Sequence, residues 1–316
     1  MSNLTEEKQV EFSKIYVDFG PTKAQKFLEL ETDTFKRYVR LCRKNGYLTP
    51  NMINLAKISE NLTPEEIQRI AKSNRPLASE MVDLDFEGDK FKFLYVTDTH
   101  LGSKYTDPEL LLEAFEEGKR QGCEAILHSG DVTDGLSNRP DHMYQLTHIG
   151  YDAQKQHAID VFSKTDMPIY MIAGNHDLWY LKSAGGMIVK DICEALPNAT
   201  YLGEHEGHLM LNGNIDICLW HGEDGASYAT SYRLQKVAES LYGGDKPNLM
   251  LCGHTHKMGY FMERNIHMIS GGSIQYQSKW MKMKRIQAHV GFWIVEVTVN
   301  KKGITKVNPT FYPFYE

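Results

Sequence analysis

The 316 residues carry a net charge of −6, with 41% apolar and 24% charged side chains, the balance of an ordinary folded protein and not of a disordered or collagen-like one. Five scattered cysteines, odd in number and without a CxxC pair, argue against a disulfide scaffold and against a thiolate zinc site. No charged-then-apolar leader opens the chain and no 18 apolar residues run together, so the cytoplasm is the expected location and no membrane contact is expected.

The charge is divided unevenly: residues 1–80 hold 13 Lys and Arg against 11 Asp and Glu, the remainder 22 against 30. Apolar spacing predicts a helix over TEEKQVEFSKIYVDF and a second over PTKAQKFLEL, where Pro21 suits a helix start. A third is predicted over ETDTFKRYVRLCRKNGYL, with Thr32 or Asp33 as N-cap and Gly46 as the stop. The second and third, short and joined by a tight turn, resemble a helix-turn-helix. The third helix carries Lys36, Arg37, Arg40, Arg43 and Lys44 without an acid among them, a candidate DNA face. A plain docking module with a solvated basic face has the same pattern. NLTPEEIQRIAKSNRPLASEMVDLD predicts one more capped helix and then polar chain. The expected division is a small all-α module over 1–80, a linker over 81–90 and an α/β domain over 91–316.

From residue 91, strand-like runs alternate with amphipathic helices such as DPELLLEAFEEGKRQG. LYVTDTH ends in Asp98 and His100; if the extended chain persists past Val96, alternate side chains put both on one face. CEAILHSGD ends in Gly130-Asp131, MPIYMIAGNHD in Gly174-Asn175-His176-Asp177, IDICLWHG in His221-Gly222 and PNLMLCGHTH in Gly253-His254-Thr255-His256. Glycines beside these donors let the backbone turn sharply. Ligands gather beyond the carboxyl ends of strands in open α/β sheets. Imidazole, carboxylate and amide oxygen without thiolate suit hard-to-borderline divalent cations. The donors are too many for one tetrahedral zinc but enough for two cations sharing a carboxylate, an arrangement with metals roughly 3.5–4 Å apart that suits phosphoester hydrolysis.

The ordered set DTH, GDV, GNHD, WHG and GHTH resembles the calcineurin-like metallophosphoesterases over roughly residues 91–300. The resemblance implies an α/β fold of two packed mixed β-sheets flanked by helices, with a metal site at one end, so that 91–316 would be the metallophosphoesterase domain. It implies that Asp98, His100 and His256 hold a first metal, that Asn175, His221 and His254 hold a second, and that Asp131 bridges both. His176 would face the phosphate as an acid or charge stabiliser, with Asp177 orienting its ring through a hydrogen bond. The chemistry implied is in-line attack on phosphorus by metal-bound hydroxide without a covalent intermediate. Mn²⁺ fits the O/N donors first, with Fe, Zn or Mg as alternatives. Of the other histidines, His128 stands three residues before Asp131 and could support the site. His142, His148, His157, His205, His208, His267 and His289 read as surface or satisfied core.

Three features bear on the substrate. DTHLGS resembles the D-x-H-L-G form of the DNA double-strand-break repair nuclease branch of that family. Arg139, beside Pro140 in the long segment after Asp131, could contact a phosphate or cap the following helix. Lys279, Lys282, Lys284 and Arg285 stand beside Tyr276 and Trp280, a mixture that can track a phosphate backbone and stack bases, or form a solvated hairpin edge. Against a full repair nuclease, only 60 residues follow His256, and most are expected to build the last strands, such as GFWIVEVTV, leaving no room for the DNA-capping domain such nucleases carry. The leading expectation is a dinuclear phosphodiesterase or nuclease to which the N-terminal module delivers DNA. One alternative is a small-molecule phosphatase or cyclic-nucleotide phosphodiesterase whose N-terminal helices serve assembly, a homodimer among the options. Another is a non-catalytic DNA-binding protein.

Overall fold

The computed structural model describes residues 5–48, 81–139, 141–222, 229–241 and 246–315. Two compact units divide the chain, Met1–Pro76 and Leu77–Glu316. The further helix expected over 61–80 lies outside the described residues. No described helix is long and apolar enough to cross a membrane.

The first unit holds α1 (Glu6–Phe19), α2 (Pro21–Phe27) and α3 (Thr32–Lys44). Pro21 opens α2, where its missing N–H costs nothing. The N-cap of α3 is Glu31, one residue before Thr32, and Gly46 with φ 81° follows its end. Phe12 and Tyr16 of α1 pack on Phe35 of α3 around buried Ala24, Cys42 and Leu48. Asn45 Nδ2 donates to Gln9 Oε1 at 2.7 Å, tying the end of α3 to α1. Lys36, Arg37, Arg40, Arg43 and Lys44 are all exposed.

The second unit is α/β, two packed six-stranded mixed sheets flanked by helices. Its strands are β1 (Met81–Leu84), β2 (Lys90–Val96), β3 (Ala125–His128), β4 (Ile169–Ala173), β5 (Ala199–Glu204) and β6 (Glu206–Leu211), followed by β7 (Ile215–Trp220), β8 (Leu249–Cys252), β9 (Met258–Glu263), β10 (Ile266–Gly271), β11 (Gly291–Asn300) and β12 (Gly303–Pro313). One sheet has the order β1-β6-β7-β8-β10-β9, the other β12-β11-β2-β3-β4-β5. Met81–Leu84, within the stretch expected as linker, pairs in parallel with β6 and forms a sheet edge. Its alternation of exposed and half-buried residues is that of an edge strand, too short to stand out from polar chain.

Alternation along β2 shows how the layers form. Phe91, Phe93 and Tyr95 enter the core between the sheets, with Leu209 and Leu211 of β6 and Leu249 and Leu251 of β8. Leu94 and Val96 face the other way, beneath α4 (Pro108–Arg120), α5 (Tyr151–Phe162) and α7 (Ile188–Ala195). Between α5 and α7 lies α6 (Leu178–Ala184). The outer face of the first sheet is covered by α8 (Tyr232–Ser240) through Leu234 and Ala238. A last short helix, α9 (Lys279–Met283), precedes β11.

On that outer face His208 lies between two carboxylates, its Nδ1 2.8 Å from Asp216 Oδ1 and its Nε2 3.2 Å from Glu206 Oε1. The bonds to Asp216 and then Glu206 outweigh burial and raise the imidazole from 6.5 to about 9. A raised folded-state pKa gives stability that is full below the unfolded value and is lost as pH rises through the folded one. Wild type is therefore expected to exceed His208→Gln in urea stability at about pH 6, with the margin shrinking to near zero by about pH 10.

Candidate metal centre

The candidate donors emerge from five strand ends. β2, β3 and β4 are parallel neighbours in one sheet, β7 and β8 in the other. After β2 and β3 end, the two chains stay paired: Asp98 N–H donates to Gly130 O at 3.0 Å and His100 N–H to Asp131 O at 3.0 Å. The extended alternation expected for Asp98 and His100 is not what aims them. Both are left-handed, with φ of 52° and 44°, as are Asp131 (54°), His254 (72°) and His256 (53°). Such backbone costs about 1–3 kcal/mol per residue and persists only where surroundings over-determine it. Of the glycines beside the donors, Gly130 does make a turn, at φ 93°. Gly174 serves a different need: a Cβ there would strike Asp131 N and Oδ1.

Both carboxylates are held by main-chain N–H groups, Asp131 through one oxygen and Asp98 through both. Asp131 Oδ1 accepts the His176 backbone N–H at 2.8 Å. Its Oδ2 then lies 3.2 Å from His221 Nε2 and 3.6 Å from His100 Nε2, between donors from the two sheets. Asp98 Oδ2 accepts from Thr97 Oγ1 at 2.7 Å and from His254 N–H at 2.9 Å, while Oδ1 is 3.2 Å from His256 Nε2. The imidazoles are oriented from behind in the same way. His100 Nδ1–H donates to Asp134 Oδ1 at 2.9 Å and His221 Nδ1–H to Ser129 O at 2.7 Å, so both present Nε2 inward. His100 Nε2 and His256 Nε2 face each other at 3.2 Å. Asn175 Oδ1 is 3.1 Å from His221 Nε2 and 2.8 Å from His254 Nδ1. Three overlapping groups of donor atoms thus converge here, Asp98/His100/His256, Asp131/His221/His254 and His100/Asp131/His176, each with its ligand atoms within 4.8 Å of one another. Nitrogen and oxygen donors converging in a buried space fit divalent cations.

Electrostatics follow the same layout. Burial opposes ionisation of Asp98, yet the charge and hydrogen bond of His256 hold it at about 2. Burial also works against charge on His221, but Asp131 raises it to about 9. His254 falls to about 4 through burial and then the charge of His221.

His176 departs from expectation in its partner. Its Nδ1–H donates to the backbone oxygen of Asp134 at 2.8 Å, and Asp134 Oδ1 is 3.7 Å away. Against burial, the charge of Asp131 and then the hydrogen bonding of Asp134 raise it to about 9. Asp177 has another occupation. Its carboxylate accepts from Val132 N–H (3.0 Å), Thr133 N–H (2.8 Å), Thr133 Oγ1 (2.8 Å) and Gly174 N–H (2.9 Å). It fastens the chain after β3 to the chain after β4 and does not orient the His176 ring.

Asp134 is the site residue that motif reading missed. Buried, it receives His100, lies 3.4 Å from His142 Nε2 and accepts from Gln275 Nε2 at 3.3 Å. The histidine bonds hold its carboxyl well below the usual range despite burial. Its only sequence signal is a second acid three residues after Asp131. His142, expected at the surface or as satisfied core, is buried and accepts from Ser137 N–H at 3.1 Å; Trp179, which carries no motif, packs against His176 at 4.0 Å between centroids. His128 is buried behind the site, joined to Thr99 Oγ1 at 2.9 Å.

His100, Asp131, Asn175, His176, His254 and His256 line a cavity of about 890 Å³. Arg139 and Lys279 line it, as do Trp179 and Trp280. Lys282, Lys284 and Arg285 are exposed and stand outside its lining. The stretch for which a solvated hairpin edge was one alternative holds the helix α9 over Lys279–Met283, capped by Ser278, which accepts from Met281 N–H, and anchored by buried Met281.

The family model described as calcineurin-like phosphoesterase matches residues 91–258. DNA polymerase II small subunits from two archaea are similar to this chain. That of Methanothermobacter thermautotrophicus is 22% identical over 267 residues, 69% of this chain and 53% of that protein. That of Archaeoglobus fulgidus is 23% identical over 282 residues, 73% and 56% respectively. The chain spans about half the length of the curated relatives it matches. Among solved structures, an archaeal phosphodiesterase is similar at 16% identity and a TM-score of 0.41, over 70% of this chain and all of that one.

The two roles for Asp177 separate by stability. Asp177→Ala strands three buried backbone donors, each worth about 1–3 kcal/mol, whereas His176→Ala loses one hydrogen bond of about 1 kcal/mol. Urea denaturation is expected to show Asp177→Ala several-fold more destabilised. Equal losses would return Asp177 to the role of orienting the His176 ring.

Proposed function

Since this chain belongs to the calcineurin-like phosphoesterase family and is a metal-dependent phosphoesterase, we propose that it is a dinuclear phosphodiesterase acting on DNA. The observation that carries the dinuclear reading is the aim of Asp131 Oδ2 between His221 of one group and His100 of the other. In this reading Asp98, His100 and His256 would hold one cation, Asn175, His221 and His254 the other, and Asp131 would be shared. Nitrogen and oxygen donors without thiolate suit Mn²⁺ first, with Fe, Zn or Mg as competitors. When bound, such cations supply Lewis acidity toward the phosphate oxygens and lower the pKa of water.

The remaining work falls to the chain. Hydrolysis forms one P–O bond to water and breaks the P–O bond to the leaving group, which departs needing a proton. His176 is the group to provide it. Its Nδ1 is committed to Asp134 O, so Nε2 is the nitrogen left to meet substrate in the cavity it lines. The carboxylates of Asp131 and Asp134 favour its imidazolium form. Asp134 acts as a positioning residue, holding His100 with its side chain and His176 with its main chain.

The DNA assignment is supported by the named archaeal relatives and by the five exposed basic side chains of α3, a surface on which phosphates can dock. One observation favours a second reading, a phosphatase or cyclic-nucleotide phosphodiesterase: a cavity of about 890 Å³ falls within the range of small-molecule pockets.

Mn²⁺-loaded protein at low salt is expected to cleave end-labelled single-stranded or duplex DNA. His176→Ala is expected to lower the rate about 100- to 10,000-fold while retaining metal. Intact DNA alongside turnover of a simple phosphoester would give the second reading the lead. No metal-dependent turnover of any ester would favour a non-catalytic role.

A further inference from the structure

The mouth of the cavity holds an aromatic side chain that the fold leaves half in solvent. Trp280 of α9 is 44% exposed, although α9 is already anchored by buried Met281. Met283, further along the same helix, is 74% exposed. Opposite stands Arg139, from the chain after β3, with its guanidinium carbon 5.9 Å from the centre of the Trp280 ring. Among the described residues Arg139 pairs with no carboxylate; its Nε donates only to Ser137 Oγ, at 3.4 Å. Both side chains line the same cavity as Asn175 and His176, and Lys279 and Lys257 line it as well.

We propose that Trp280 and Arg139 form a platform for an unpaired nucleobase next to the scissile phosphoester. The proposal rests on the phosphodiesterase reading and specifies its substrate: an ester that carries a flat base, in a single strand. Exposed apolar surface at a polar-rimmed cavity marks a binding site. An indole and a guanidinium both offer flat faces on which bases stack, whatever the base's identity. The cation supplies a partner for the adjoining phosphate, which a purely aromatic wall would not. A duplex base is already stacked on both sides, so the platform selects single strands, frayed ends or free nucleotides. Lys282, Lys284 and Arg285, exposed beyond the lining, add positive charge on and just after the same helix.

The test compares a short thymidylate oligomer with the abasic deoxyribose-phosphate oligomer of equal length, and thymidine 3′,5′-cyclic phosphate with its base-less analogue. The readout is the ratio of kcat/KM within each pair, measured for wild type, Trp280→Ala and Trp280→Phe with Mn²⁺. Wild type is expected to prefer the base-containing oligomer. In Trp280→Ala that ratio should fall about 5- to 100-fold, the worth of one base stacked on an aromatic ring, and Trp280→Phe should restore most of it. Arg139→Gln should lessen the slope of log affinity against log salt for the thymidylate oligomer by about one phosphate contact. If kcat/KM falls equally on both members of a pair, or the ratio does not move, the platform is overturned. A Trp280-dependent ratio in the cyclic pair alone keeps the platform and overturns the nucleic-acid reading. Hydrolysis of p-nitrophenyl phosphate with neither pair turned over overturns both.

Discussion

Two sheets meet chemically at one carboxylate. Asp131 leaves the end of β3 in one sheet, and its outward oxygen reaches His221, which leaves the end of β7 in the other. That contact is possible because a main-chain N–H, that of His176, fixes the first oxygen and so decides where the second points. Nothing in the carboxylate itself would choose between its two oxygens. The rest of the site is arranged around this choice. Asp177 binds the chain after β3 to the chain after β4, so the N–H of His176 stays where Asp131 needs it. Gly174 lacks the side chain that would push Asp131 aside.

That these side chains come together was legible in the sequence, because five strand ends, those of β2, β3, β4, β7 and β8, repeat one pattern of residue types. Their geometry was not legible. A D-x-H after a strand invites an alternation argument, yet Asp98 and His100 reach their places through left-handed backbone held by pairing to residues 130 and 131. The same limit explains the exchange between Asp177 and Asp134. Adjacency in the sequence made Asp177 the natural partner for His176, but which acid meets which ring depends on how two loops cross, and crossing is a property of the folded sheet. Asp134 carries no motif weight beyond its place three residues after Asp131. Short elements failed for another reason. Four residues of β1 and five of α9 give too little periodicity to separate strand or helix from polar chain.

The sequence changes texture near residue 91, whereas the chain divides after Pro76 and β1 already belongs to the second unit; the packing explains the change of texture. Residues of β2 alternate between two apolar layers, one between the sheets and one under the helices, so the run reads as almost continuously hydrophobic. The N-terminal unit has a single small aromatic core and therefore reads as amphipathic helix with broad charged faces. The basic residues of α3 are surface residues of that core's outermost layer, which is why their number says little about their purpose until a partner is supplied.

The five left-handed donor residues have a thermodynamic side. Each holds its backbone in a conformation that the unfolded chain seldom visits, and the donors come from segments spread between residues 98 and 256. A pair of cations that drew on them together would find its sites only in the folded protein, so occupancy and folding would be linked: metal in excess of its dissociation constant would deepen the native well logarithmically. The loops bearing these residues are accordingly the part of the second unit whose local opening should depend most steeply on metal activity. The sheets beneath them, sealed by apolar layers, open only with the whole unit and share its global gain in stability.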